Sequence, residues 1–192
     1  MTGGGKRHEM KENGTVRFVT FGAMGVALVV AAQWLGNMLP AGAVIAGPFA
    51  VKQLVTGSLV NCILFVWADR VGLWNAVTVG ILSAVLASVI GVGPQVLPIV
   101  PLIACGNALL VIVYRLAKDK LRVPGIVRIL LAAAVKCGFL WLTVPLLLGA
   151  LTSVPEKQVK ALSVMFSWPQ GLTALIGGLL ALIIIPRLKK AE

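Results

Sequence analysis

Lys136 sits near the middle of an apolar run from Val127 to Leu148, a placement that demands a chemical explanation. A cation at mid-membrane depth costs roughly 3 kcal/mol or more on insertion scales, so it faces a protein interior or a wet cavity rather than lipid. The acids of the chain are Glu9, Glu12, Asp69, Asp119, Glu156 and Glu192, and all fall at termini or in the polar connections between apolar runs. Either a ligand supplies the missing counter-charge, or Lys136 is satisfied by backbone carbonyls and Asn side chains, or its stem stretches toward an interface.

Other reactive groups are sparse. His8 is the only histidine and lies near the N-terminus, so no Ser–His or Cys–His pair is expected within the apolar runs. No carboxylate is available there as a general base, proton relay or metal ligand. Cys62, Cys105 and Cys137 lie inside apolar runs without CxxC spacing, which reads as inert buried thiols rather than a disulfide frame or zinc site. Gly3-Gly4-Gly5-Lys6 lacks the GxxxxGK[ST] spacing of a phosphate loop. The expectation is a protein that is no enzyme, has no ATPase site of its own and uses no cofactor or metal.

The elements that must position these residues follow from composition. The chain has 192 residues, 59% hydrophobic and 12% charged, with a mean hydropathy of +0.99. A bilayer core about 30 Å thick takes about 20 apolar residues per helix. We therefore expect an all-α integral membrane protein: a compact bundle of six transmembrane helices at about 18–39, 48–68, 73–92, 97–114, 127–149 and 161–185, forming one domain over 17–190 behind a disordered polar leader at 1–16. No cleaved signal peptide is expected, since the first apolar run is too long and lacks a small-residue cleavage pattern.

The net charge of +11 would suggest nucleic acid in a soluble chain, but here the position of the charges matters more. Basic residues gather before the first span (Lys6, Arg7, Lys11, Arg17), after the second (Arg70), after the fourth (Arg115, Lys118, Lys120, Arg122, Arg128) and after the sixth (Arg187, Lys189, Lys190). By the positive-inside rule these groups and both termini are cytoplasmic. The basic loop lies on anionic headgroups, and the partner it implies is the bilayer rather than nucleic acid.

Along the first span Ala23, Ala27 and Ala31 form a small-residue stripe, either a docking face or ordinary internal packing. Gln33, Trp34 and Asn37 at its outer end are either an interfacial aromatic with wet neighbours or one wall of an outward-facing pocket. A small, flexible connection at 41–47 leads to Pro48, which starts the second span; its Gln53, Gly57 and Asn61 recur at four-residue spacing, so that face should look inward. Asp69 and Arg70 close that span as a pair. Gln95 belongs to an outer Gly/Pro turn. Gly106 and Asn107 mark either a tight crossing with one interhelical hydrogen bond or a ligand contact. In the last segment, Pro169 of Ser167-Trp168-Pro169-Gln170 either kinks one long helix or starts a shorter one after an outer turn.

Together these residues resemble the substrate-binding S components of energy-coupling factor (ECF) vitamin transporters. The resemblance covers about 17–190 and rests on size, six helices with both ends inside, Ala23-x-x-x-Ala27, the stretch Pro98 to Asn107, and the ending Phe166-Ser-Trp-Pro169-Gln170 through Ala181. It implies a subunit of a prokaryotic cell membrane that captures a vitamin or related micronutrient, anionic if Lys136 faces it. It also implies that a transmembrane T subunit, joined to two ABC ATPases, meets the Ala23, Ala27, Ala31 stripe. Candidate ligand neighbours of Lys136 are Asn107, Trp141, Trp168 and Gln170, with Gln33, Trp34, Asn37 and Gln95 toward the outside. The contending reading is a non-transporting membrane assembly subunit whose polar interior is purely structural.

Overall fold

The structure, a computed structural model, describes residues 3–39, 44–46, 49–92, 96–151 and 154–188. Gln95 lies outside them. The elements are α1 (Gly3–Asn37), β1 (Val44–Ala46), β2 (Phe49–Ala50), α2 (Val51–Arg70), α3 (Leu73–Val89), α4 (Val100–Asp119), α5 (Gly125–Ala150), α6 (Glu156–Met165) and α7 (Trp168–Ile184), with 3-10 turns at Leu97–Ile99 and Ile185–Arg187. Among the described residues, five helical stretches are long and apolar enough to cross a membrane: Gly14–Asn37, Val51–Arg70, Leu97–Asp119, Gly125–Ala150 and Glu156–Arg187. The mostly helical architecture expected from composition is thus present, with helices compatible with a multi-pass membrane protein and a short β1–β2 pair added to them. The sixth expected span, α3, has 17 residues, about 26 Å at 1.5 Å per residue, somewhat short of a 30 Å core.

Several boundaries differ from expectation. Residues 3–16, assigned to a disordered leader, continue α1 as helix; Lys6, Arg7, Met10, Lys11 and Glu12 are all strong helix formers, and they outweigh the three glycines before them. Phe49–Ala50 pairs antiparallel with Val44–Ala46, so α2 begins at Val51 rather than Pro48. The last segment is two helices, the second of the two expected alternatives, with Pro169 starting the shorter one after a turn. Phe166 and Ser167 form a turn, and Pro169 stands in the first turn of α7, where its missing N–H takes no bond from the helix.

The α2–α3 corner needs a glycine: Gly72 has φ 141°, in the region that side chains avoid. Beyond it the helices close a ring in the order α1, α2, α7, α5, α4, α3, with α2 also touching α3 and α4 and with α6 leaning on α5 and α7. Two apolar clusters fill the ring. One joins Leu64, Phe65 and Trp67 of α2 to Val79, Tyr114, Ile129 and Ala181; the other gathers Ile99, Leu140, Val144, Leu148 and Phe166 at the opposite end. In α5 the buried stripe runs Ile129, Ala132, Ala133, Lys136, Leu140, Val144, Leu148 at helical spacing. Lys136 therefore lies on the inward face, between the two clusters.

Candidate functional site

The Lys136 side chain is 3% exposed and donates to two carboxamide oxygens, Asn61 Oδ1 at 2.7 Å and Asn107 Oδ1 at 2.8 Å. Each amide turns its nitrogen outward: Asn61 Nδ2 donates to Thr173 Oγ1 (3.4 Å), and Asn107 Nδ2 donates to the Gly80 carbonyl (3.2 Å). The Thr173 hydroxyl in turn donates to the Gln170 carbonyl at 3.1 Å. Flipping either amide would set an NH2 group against the ammonium, so the cation fixes both orientations. Through one charge the network ties together α2, α3, α4, α5 and α7.

Close helix approach makes these distances attainable. A Cβ on Gly177 would lie 2.4 Å from the Ser58 carbonyl and 2.8 Å from Asn61 Cβ, so the bare backbone lets α7 lie directly on α2. Gly80 does the same for α3 against Asn107, where a Cβ would sit 3.2 Å from that residue's own Cβ. Two of the three Lys136 N–H donors are taken in this way, leaving one donor beyond the network.

The structure brings together Lys136 and Asn107 from the expected group; Gln170 joins the network three hydrogen bonds from Lys136, and only through its backbone carbonyl. It adds Asn61 and Thr173, 1% exposed each. Asn61 was signalled by the Gln53–Gly57–Asn61 spacing; nothing in the sequence singled out Thr173. Trp141 is 63% exposed on the outer surface of α5, away from Lys136. The Trp168 ring is half exposed and packs edge-on against Phe49, with centroids 5.3 Å apart. Gln170 Nε2 and Gln53 Nε2 both donate to the Met165 carbonyl, each at 3.2 Å, across the α6–α7 break. Trp34 and Asn37 are exposed, and Asn37 Nδ2 reaches the Val92 carbonyl at 3.5 Å.

At the end of the bundle shared by Gln33 and the first turns of α2, four buried polar atoms have no partner among the described residues: Gln33 Oε1, Gln53 Oε1, Thr56 Oγ1 and Ser58 Oγ. Each such group costs about 1–3 kcal/mol unless something answers it, and these four fall together at this end, while Arg70 Nε and Asn75 Oδ1 lack a hydrogen-bond partner toward the other.

The other end carries the opposite arrangement. Asp69 pairs with Lys118 (2.8 Å), with Arg70 and Arg128 near 3.8 and 3.9 Å, and accepts from the Tyr114 hydroxyl at 3.0 Å. The simple Asp69–Arg70 pair expected from their adjacency is thus replaced by a hub. Neighbours in a helix point about 100° apart, so the Arg70 guanidinium turns to the Ile185 carbonyl instead.

Ala23, Ala27 and Ala31 are exposed, so the stripe is not internal packing. The buried positions of α1 are Gly22, Gly25, Val26, Val29, Ala32 and Gly36, on the opposite face. Of the cysteines, Cys62 is buried and Cys137 partly so, but Cys105 faces outward, and all three are free thiols. Among the described residues no group of His, Cys, Asp and Glu could hold a metal ion. No protein-family model, curated protein or solved structure matches this chain.

Proposed function

We propose that the chain is the membrane-embedded binding subunit of an importer of the ECF type, taking a micronutrient from outside and passing it through a partner T subunit driven by separate ATPases. One observation carries this reading. Among the described residues Gln33 Oε1, Gln53 Oε1, Thr56 Oγ1 and Ser58 Oγ gather as buried atoms without partners at the end away from the basic residues, whereas Lys136 in the middle and Asp69 at the basic end are held by the chain itself. A purely structural interior has no need of four costly orphans; a ligand entering from that end would pair with them and reach the remaining donor of Lys136.

In this reading α1 to α5 and α7 make six spans, the basic ends and both termini are cytoplasmic, and the protein sits in a prokaryotic plasma membrane. The exposed Ala23, Ala27, Ala31 stripe is the face for the T subunit, because small side chains let a helix approach closely in lipid.

The second reading, an assembly subunit without cargo, draws on the two Asn partners that hold Lys136 without any ligand. Native mass spectrometry of the detergent-purified chain separates the two. A co-purified small molecule, lost from Gln53→Leu but kept by Trp141→Leu, supports binding; the absence of any bound small molecule supports the assembly reading. The Ala23→Leu, Ala27→Leu double variant should bind that molecule normally yet lose uptake and co-purification with a partner. Normal uptake at matched expression would move docking to another face.

A further inference from the structure

At the basic end of α1, a cavity of about 240 Å³ is lined by Gly14, Arg17, Phe18, Phe21, Val71 and Asn75. Asn75 is 4% exposed and donates through Nδ2 to the Phe18 carbonyl at 2.7 Å, which leaves its Oδ1 buried without a partner among the described residues. A buried carboxamide oxygen in that position calls for a hydrogen-bond donor. Arg17, on the same wall, offers a cation at the point where the polar part of α1 gives way to the apolar run.

Phe18 also belongs to a second, larger hollow of about 650 Å³, almost wholly apolar, between Val19, Ala23 and Ala27 of α1 and Leu82, Leu86 and Ile90 of α3. From Phe18 to Val30 this groove follows α1 for about 18 Å at 1.5 Å per residue. One leaflet of hydrocarbon is about 15 Å deep, half of a core about 30 Å thick. An apolar channel of one-leaflet length thus joins a small pocket holding a cation and an unanswered acceptor.

We propose that the α1–α3 groove of the unassembled chain holds an acyl chain of an anionic phospholipid, with the headgroup phosphate on Arg17 and a headgroup hydroxyl donating to Asn75 Oδ1. A phosphate has acceptors only, so it suits Arg17 but cannot answer Asn75; a glycerol headgroup supplies both the charge and the hydroxyl. The other cations of this end reinforce the preference for negative charge. The lipid lies over Ala23 and Ala27, so a helix docking on that stripe would displace it. The lipid site itself does not depend on the importer reading.

The test is native mass spectrometry of the purified full chain, offered phosphatidylglycerol, phosphatidylmethanol and phosphatidylcholine of identical acyl chains in equal amounts. Phosphatidylmethanol has the anionic charge without the hydroxyls. We expect one retained lipid per chain, in the order glycerol, methanol, choline. Arg17→Gln should lower the phosphatidylglycerol preference over phosphatidylcholine by about fivefold, the worth of one interfacial cation. Ala27→Phe, on an exposed face, should reduce retention of all three by filling the groove. Equal retention of the three lipids, or a preference unchanged in Arg17→Gln, overturns the site; equal retention of the two anionic lipids overturns the Asn75 contact.

Discussion

Lys136, between the two apolar clusters, is held by neutral carboxamides at 2.7 and 2.8 Å, whereas Asp69, at the basic end, draws Lys118 to 2.8 Å with Arg70 and Arg128 near 3.8 and 3.9 Å. The two charged side chains are almost equally buried, at 3% and 7% exposure, so burial alone does not explain the contrast. Their surroundings do. A carboxylate beside Lys136 would have to be desolvated as well, and that second penalty commonly exceeds the attraction gained. Amides cost less to bury, and these two are already oriented by Thr173 and Gly80. Asp69 can afford charged partners because the side chains of Arg70, Lys118 and Arg128 remain 23, 31 and 22% exposed and keep part of their hydration. In this chain, depth decides whether a charge is answered by dipoles or by other charges.

The largest expected effect breaks the dipole side of that contrast. Asn107→Leu removes one acceptor of a buried ammonium and the bond to the Gly80 carbonyl, and it puts a branched side chain where α3 passes closest. Stranding a buried charge typically costs about 3–5 kcal/mol. Thermal unfolding in detergent should show the variant strongly destabilised; a parent-like midpoint would mean that the ammonium finds other partners. Gly177→Ala attacks the same network through helix spacing, since the new methyl meets the Ser58 carbonyl at 2.4 Å. Overpacking of that kind costs about 1–3 kcal/mol. Gly138→Ala, whose Cβ would meet nothing within 4 Å, is the control and should unfold like the parent.

Breaking the charge side should cost less and should respond to salt. Asp69→Asn keeps an acceptor for the Tyr114 hydroxyl but leaves Lys118, Arg70 and Arg128 facing each other. Their partial exposure holds the loss to about 1–2 kcal/mol. Because the Debye length falls from about 10 Å at 0.1 M to about 3 Å at 1 M salt, the gap between parent and Asp69→Asn should narrow as salt rises. The gap between parent and Asn107→Leu should not. Equal salt responses would erase the distinction drawn between the two sites.

The same contrast explains how much the sequence could show. Depth is one-dimensional information, so the mid-run position of Lys136 and the end position of Asp69 were legible from residue order. Partners were less so. Asn61 is 75 residues from Lys136 and Asn107 is 29 away, and their meeting depends on helix order around the ring. Asn61 still announced an inward face, because amides are rare in lipid-facing positions. Trp141 lies five residues beyond Lys136, about 140° round α5, so the spacing already set it off the inward face marked by the cation, while the otherwise apolar helix added no periodicity of its own. The alanine stripe was ambiguous for the same reason, and only the burial of Val26, Val29 and Ala32 on the far face settled its direction. The break at Ser167 turned on whether Pro169 sits inside a helix or at its start, which local sequence leaves undecided.

The smallest effect on stability is expected from the residue that organises the interior, and its sign rests on two opposed contributions. Lys136→Met deletes two hydrogen bonds and leaves Asn61 Oδ1 and Asn107 Oδ1 unanswered. It also abolishes the cost of burying an ammonium, while a side chain of similar length fills the space. Without the ammonium both amides are free to turn and re-pair, and polar contacts between membrane helices average only about 0.6 kcal/mol, so the loss is little more than about 1 kcal/mol before the relief is counted. Lys136→Met should therefore unfold less than about 1 kcal/mol below the parent, and far above Asn107→Leu. Combining the two should cost less than their sum, because without the ammonium Leu at 107 strands no charge; a coupling of about 1–3 kcal/mol marks a shared network. The same variant also probes function. If the third donor of Lys136 holds the cargo, Lys136→Met should bind the co-purified molecule about a hundredfold more weakly despite its near-normal stability. Unchanged affinity would assign the ammonium wholly to the fold and leave the cargo to Gln33, Gln53, Thr56 and Ser58 at the opposite end from Asp69.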